Sequence, residues 1–471
     1  MENQGEENFE AKNEFFPRRT EGKGLWVFFL LPSSIILSAL KYPVTVTPTY
    51  KFATVITIAL LFASIYVIVK CSKYQKFNAL NFRMLMISFL TCLIIRFWLH
   101  KDWWFCVISG LLSTTLFINF YKGLLRNAKT SFTFGEAGLT AQGLTLFLLS
   151  YFYSITEMIQ TETKLSNMQK STAIIQVGIL GIAACAYILN KIKINNQYSF
   201  YYSALFLLTS TIIAPLFLVL KENPLIWIFS QVLGDMTLLK LFVYWSACIA
   251  VGVLAISNQI YYAKKASTST RKIFHILAVL VYIPGLYYRC CFLYLASGVV
   301  LGLFFFLEIL RLLRIPPFGT LLQDGYEVFR DEKDTGPLAL TPIYLLVGVS
   351  LPLWLHPSPC DLTDSSQFTI LPLLSGLATI GIGDTAASYF GSRIGRIKWE
   401  NSSKTIEGTL ACFISQVVFF LFIYYIGLLP QMTTEVVVRI VLSIIVTSVV
   451  EAKTSQIDNL ILPLIMYVIL V

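Results

Sequence analysis

Long apolar stretches alternate with short polar loops along the whole chain. The apolar runs lie at 25–40, 52–69, 84–99, 103–120, 138–155, 172–190, 199–220, 241–262, 273–288, 290–307, 338–355, 368–390, 408–428, 435–450 and 459–471. A helix needs about 20 apolar residues to cross roughly 30 Å of hydrocarbon. The pattern therefore predicts an all-α polytopic transmembrane helical bundle of about fifteen spans. The runs at 273–288, 435–450 and 459–471 are short, which suits tilted or re-entrant segments. The runs are continuous rather than alternating, which argues against a transmembrane β-barrel.

Composition narrows the class further. Of 471 residues, 56% are hydrophobic and 13% are charged, whereas soluble domains carry roughly 25% charged residues. A soluble domain, a disordered tail and a disulfide scaffold are excluded, and membrane lipid is the expected surrounding. The net charge of +10 reads as loop Lys and Arg rather than as a nucleic-acid surface. The nine cysteines lack metal-ligand spacing. Cys290 and Cys291 are adjacent, suit neither a bridge nor a zinc site, and read as small buried hydrophobes. No cleavable signal peptide is evident before the first run at Leu25.

Charge asymmetry orients the spans. Loops that follow an even number of spans, together with the N-terminal tail, hold about 26 of the 36 basic residues. That side is expected to be cytoplasmic, with residues 1–24 as a cytoplasmic tail. The sequon Asn401-Ser402-Ser403 falls in one of these loops and is expected to stay unglycosylated. A soft boundary falls near residue 260. Spans in 25–260 show no chemical constellation, whereas in 261–471 polar residues gather in four loops on the cytoplasmic side.

The richest segment is Gly381-Ile-Gly-Asp384-Thr-Ala-Ala-Ser388-Tyr-Phe-Gly391-Ser-Arg393-Ile-Gly395, followed by Lys398 and Lys404-Thr405-Ile-Glu407-Gly408. Asp384 stands at the end of an apolar run, where an ionisable group is costly unless paired, metal-bound or facing water. Helical spacing puts Asp384, Ser388 and Gly391 on one face. Small-residue packing explains the glycines but not the basic, hydroxyl-rich loop that follows. Arg393, Arg396, Lys398 and Lys404 suit phosphate, and Glu407 is a second acid. An acid, a metal and a Lys/Arg clamp are the equipment of phosphoryl transfer. No Walker A loop and no protein-kinase glycine loop is present.

Three other segments carry polar groups. Arg271-Lys272-Ile-Phe-His275 enters a span, and His275 suits a general base or a phosphate donor as well as a packed interfacial residue. Glu308 through Gly336 contains Asp331, Glu332 and Asp334, which suit either Mg²⁺ or a solvated turn. Glu451 and Asp458-Asn459 flank the entry to the last run.

The combination Asp384-x-x-Ala387-x-x-x-Gly391 with Lys404-Thr405-x-Glu407-Gly408 resembles the CTP-handling signature of CTP-dependent polyprenol kinases and CDP-diacylglycerol synthases. Arg271-Lys272-x-Phe274-His275 and Glu451…Asp458-Asn459 look like the kinase branch. Phe329-Arg330-Asp331-Glu332-Lys333-Asp334-x-Gly336 with Leu340-Thr341-Pro342-Ile343-Tyr344-Leu345-Leu346 is similar to the dolichol kinases in particular. The basic Lys-Arg…Lys-Asp signature of the cytidylyltransferases is missing, since only Lys453 precedes Asp458. The resemblance covers about 260–471 and implies transfer of the γ-phosphate of CTP to dolichol or a related polyprenol in the endoplasmic reticulum membrane. The resulting dolichyl phosphate would serve protein glycosylation, and the site would face the cytoplasm.

It further implies a Mg²⁺–CTP site, with Asp384, Glu451 and Asp458 as metal-organising acids. Arg393, Lys398, Lys404, Thr405, Glu407 and Gly408 would handle the nucleotide, with Glu407 positioning Lys404 or the metal. His275 or Asp331 would take the alcohol proton. A CTP-dependent kinase of diacylglycerol or phytol is the neighbouring reading. A transporter with Asp384 and Glu451 in an ion path is the reading from another class, and it predicts paired broken helices in both halves.

Overall fold

A computed structural model describes residues 10–11, 13–20, 22–73, 81–160, 165–192, 196–262, 268–330, 334–358, 370–400, 402–429 and 432–471. Their regular structure is helical, apart from one antiparallel bridge between Lys398 and Thr405. In chain order the helices are α1 (Leu30–Lys41), α2 (Pro48–Ser72), α3 (Phe82–Leu99), α4 (Trp103–Asn127), α5 (Phe134–Gln160) and α6 (Asn167–Ile192). Then come α7 (Gln197–Leu220), α8 (Pro224–Gly234), α9 (Met236–Tyr261), α10 (Thr268–Tyr288), α11 (Cys290–Leu313), α12 (Phe318–Phe329) and α13 (Leu340–Leu355). The chain ends with α14 (Thr385–Ile394), α15 (Ile406–Tyr425), α16 (Thr434–Lys453) and α17 (Asp458–Leu470).

Among the described residues, eight helices are long and apolar enough to cross a membrane: α2, α3, α4, α6, α7, α9, α11 and α15. The expected count of about fifteen spans is not confirmed. Several apolar runs became something shorter than a crossing. The run at 25–40 starts as a 3-10 turn, Leu25–Phe29, before α1. The runs behind α13 and α17 yield helices of 16 and 13 residues. Large side chains of the long helices face outward, as lipid-facing surfaces should: Ile249, Val253 and Leu254 on α9 are more than half exposed.

The two largest of the four apolar clusters among the described residues meet at the last helix. One gathers Phe28, Phe52, Phe117 and Tyr121 near the N-terminus with Tyr344 of α13 and Leu460, Ile461 and Leu464 of α17. The other gathers Tyr282, Leu374, Leu377, Phe420 and Ile444 with Met466 and Leu470 of α17. The last helix is thus wedged between both. Tyr467 of α17 shares a buried 2.9 Å hydrogen bond with Ser38 of α1.

Cys291 is disulfide-bonded, which overturns its reading as a buried hydrophobe, whereas Cys290 is buried as expected. Neighbours on a helix point about 100° apart. Cys290 turns into the core while Cys291 is half-buried.

Candidate functional site

From residue 370 on, the run at 368–390 does not form a plain helix. A 3-10 turn, Leu371–Leu374, leads into a π-helical stretch, Leu377–Asp384, which continues as α14. A π stretch holds an extra residue per turn, and such stretches gather at functional sites. This one ends on Asp384, which is buried. Gly381 lets α10 come close, since a Cβ there would stand 2.2 Å from Val279 Cγ2.

Lys272 and His275 lie three residues apart on α10 and so share a face. The Lys272 ammonium donates to Asp384 Oδ2, and His275 Nε2 lies 3.5 Å from the same oxygen.

The loop after α14 folds back as a short hairpin. Ile406 N donates to Ile397 O at 2.8 Å, and Trp399 N to Lys404 O at 3.0 Å. Thr405 ends the hairpin by capping α15, its hydroxyl accepting from Gly408 N at 3.2 Å. Lys404 reaches from the hairpin to Glu451 Oε1 at 2.7 Å and lies 3.5 Å from Asp458 Oδ2. It also donates to the Glu451 carbonyl. Burial would lower the affinity of this amine for its proton, but Asp458 and Glu451 outweigh that and raise it. Lys404 therefore stays a cation.

Glu451 ends α16 and Asp458 starts α17, so the turn 454–457 brings the two together. Asp384, Glu451 and Asp458 each offer a carboxylate oxygen, and these oxygens lie within 4.8 Å of one another. Three carboxylates this close repel unless cations intervene. Here Lys272 and Lys404 intervene, leaving an acid excess of one before His275 is counted. Hard oxygen donors suit a hard divalent cation such as Mg²⁺, and the excess acid favours binding it. The cluster fits an ion held by Asp384, Glu451 and Asp458.

Of the sequence-predicted residues, Asp384, Lys404, Glu451, Asp458 and His275 come together. Arg393 and Lys398 do not: both are exposed, and Arg393 lies over the Tyr389 ring at 4.2 Å. Glu407 does not position Lys404 or the acids. Its carboxylate accepts from Ile397 N at 3.2 Å, fastening the hairpin to α15. Gly408 sits where α15 crosses α14, and a Cβ there would meet Ala387 O at 3.0 Å and Gly391 Cα at 3.2 Å.

Asp331 and Asn401 lie outside the described residues. The neighbouring Asp334 accepts from Thr341 Oγ1 at 2.6 Å, and Arg311 pairs with Glu308 while donating to Pro337 O at 2.6 Å. These contacts fasten the turn before α13.

Two residues escaped the sequence reading. Lys272 stood inside the Arg271–His275 segment with no role of its own, yet it contacts Asp384 directly. Its place three residues before His275 was the available signal. Glu136 is fully buried and bonds to Ile457 N at 2.9 Å, next to Asp458. Thr133-x-x-Glu136 is a capping-box pattern, which marks a helix start but not a distant partner.

A family model described as dolichol kinase matches residues 105–396, more than half of the chain. The mouse dolichol kinase is 39% identical over 263 residues, 53% of this chain and 48% of the mouse protein. The human dolichol kinase is 38% identical over 262 residues, with the same coverage. A Schizosaccharomyces pombe dolichol kinase is 27% identical over 390 residues, 78% of this chain and 74% of its own. The match thus spans about half the length of the mammalian relatives. No solved structure matches.

Proposed function

The chain belongs to the dolichol kinase family, and on that premise we propose that it transfers the γ-phosphate of CTP to the hydroxyl of dolichol or a related polyprenol, giving dolichyl phosphate for glycosylation. The observation that carries this reading is the convergence of Asp384, Glu451 and Asp458 with Lys272 and Lys404. Phosphoryl transfer asks little covalent chemistry of a protein. It asks for positioning and for charge placed where charge develops.

The alcohol oxygen forms a bond to the γ-phosphorus while the bond from that phosphorus to the β-bridging oxygen breaks. CDP leaves with the electron pair. Asp384, Glu451 and Asp458 would hold a Mg²⁺ ion, which would supply charge neutralisation on the triphosphate. Lys404 and Lys272 leave their carboxylate partners in part to meet phosphate oxygens, a trade of one charge-assisted contact for another. His275 Nε2 takes the alcohol proton, and Asp384, 3.5 Å away, balances the imidazolium that results. A polyprenol suits this site because its tail can stay in lipid while the hydroxyl reaches the helix ends.

We assign the protein to the endoplasmic reticulum membrane with the site facing the cytoplasm. The Cys291 disulfide supports this orientation. Disulfides persist in oxidising compartments, and Cys291 follows the end of α10 opposite His275, roughly 20 Å away at 1.5 Å per residue. One end of α10 then belongs to the lumen and the other to the cytosol.

The test is purified protein given γ-labelled CTP or ATP with a panel of dolichol, diacylglycerol and phytol. Label entering dolichol from CTP, with much less from ATP, is the expected result. Label entering diacylglycerol or phytol instead of dolichol overturns the assignment of the alcohol. Equal rates with ATP overturn the assignment of the donor.

A further inference from the structure

The acid cluster depends on a short turn, 454–457, and that turn is held from the far end of the chain. Glu136, at the start of α5, is the holding group. Its Oε1 accepts from Ile457 N at 2.9 Å and from Arg18 at 2.5 Å. Its Oε2 accepts from Thr133 N at 3.0 Å, and Thr133 Oγ1 accepts from Glu136 N at 3.2 Å. The last two bonds are an ordinary capping box. The first two are not: a cap needs no partner 321 residues away and no buried arginine.

The rest of the neighbourhood is built for the same contact. Thr133 Oγ1 donates to Gln456 Oε1 at 2.5 Å, and Gln456 Nε2 donates to Gly22 O at 3.4 Å. The tail approaches so closely that a Cβ on Gly135 would stand 1.9 Å from Gly24 O. Gly24 has φ +65° and touches Gln456, which a larger residue would displace. Arg18 and Glu136 are both buried, 6% and 0% exposed. A buried charged pair is a weak source of net stability, but removing one partner strands the other charge in the interior, so the arrangement is costly to change.

We propose that Glu136, held by Arg18, is a positioning residue for the phosphoryl-transfer site. It fixes Ile457, and through it the direction in which Asp458 presents its carboxylate to Asp384, Glu451 and Lys404. The N-terminal tail and α5 are then part of the catalytic unit. This inference rests on the reading of Asp384, Glu451 and Asp458 as the metal-holding acids.

The test is the Mg²⁺ dependence of kinase turnover for the full-length protein in lipid nanodiscs. Glu136→Gln keeps the size and one acceptor but loses the charge. It should raise the half-saturating Mg²⁺ about tenfold, as expected for losing a hydrogen bond to a charged group, while KM for the lipid alcohol stays put. Arg18→Lys keeps a cation on the same carboxylate and should shift Mg²⁺ dependence less than Glu136→Gln. It also serves if Glu136→Gln does not accumulate. Asp458→Asn is measured alongside. Normal Mg²⁺ dependence in Glu136→Gln, with a disturbed Asp458→Asn, overturns the positioning role and leaves the site standing. Normal Mg²⁺ dependence in Asp458→Asn overturns the site reading and the positioning role together. Loss of turnover in Glu136→Gln with unchanged Mg²⁺ half-saturation and lower thermal stability marks a purely structural cap and also overturns the proposal.

Discussion

Lys404 and Lys398 stand six residues apart on one short hairpin, yet they end in different worlds. Lys404 is held by Glu451 and lies 3.5 Å from Asp458, whereas Lys398 is exposed. The bridge pairs Lys398 with Thr405. Residues opposite each other across an antiparallel pair share a face, and the next residue along a strand points to the other. Thr405 therefore takes the side of Lys398, and Lys404 takes the other. Charge and loop position are alike for the two lysines, so hairpin register alone separates a half-buried cation at the acid cluster from a solvated one.

The contrast is sharpest at Asp384. Asp384→Asn keeps the shape but removes the charge that Lys272 and His275 share. We expect kcat to fall at least about a hundredfold, in the range seen when one transition-state electrostatic partner is lost, with the protein still inserting and accumulating. Near-normal turnover at saturating Mg²⁺ would remove Asp384 from the metal-holding set. Glu451→Gln comes next. It leaves Lys404 its carbonyl partner but removes one acid from the cluster, so the half-saturating Mg²⁺ should rise about tenfold or more. A Mg²⁺ titration that superimposes on wild type would take Glu451 out of the site.

Lys404→Ala tests the inner face of the hairpin. A charge-assisted phosphate contact is worth about 1.5–3 kcal/mol, so kcat/KM for CTP should drop roughly tenfold or more. An unchanged value would mean that Lys404 only neutralises Glu451 and Asp458.

Much of this was legible in the chain. The apolar runs announced helices, and Asp384, Lys404, Glu451 and Asp458 stood out as charges at run ends. Two kinds of information were missing. An apolar run does not say how much of it becomes one helix, and the runs behind α13 and α17 yield helices of 16 and 13 residues, below the length of the eight long apolar helices. Motif membership also cannot tell a ligand-facing residue from one that builds the loop. Thr405, Glu407 and Gly408 sit inside the signature, yet their visible contacts are a cap, a backbone clasp and a helix crossing. The Glu136 contact with Ile457 joins residues 321 apart, and no local pattern reports that.

The smallest effects should come from the outer face of the hairpin. Lys398→Ala removes an exposed cation whose strand position turns it away from the acid cluster. Surface changes of this kind stay within about 0.5 kcal/mol, so kcat/KM for CTP should stay within about twofold of wild type. Salt gives the second reading. Lys398 is open to solvent, so any residual pull on the nucleotide is long-range and should fade as ionic strength rises, since the Debye length is about 8 Å at 0.15 M. The Lys404→Ala defect should persist in the same titration, because a partly buried contact is screened much less. A loss at Lys398→Ala as large as that at Lys404→Ala, and equally resistant to salt, would mean that the nucleotide lies across the outer face. The acids would then be holding Lys404 in place rather than holding a metal beside the triphosphate.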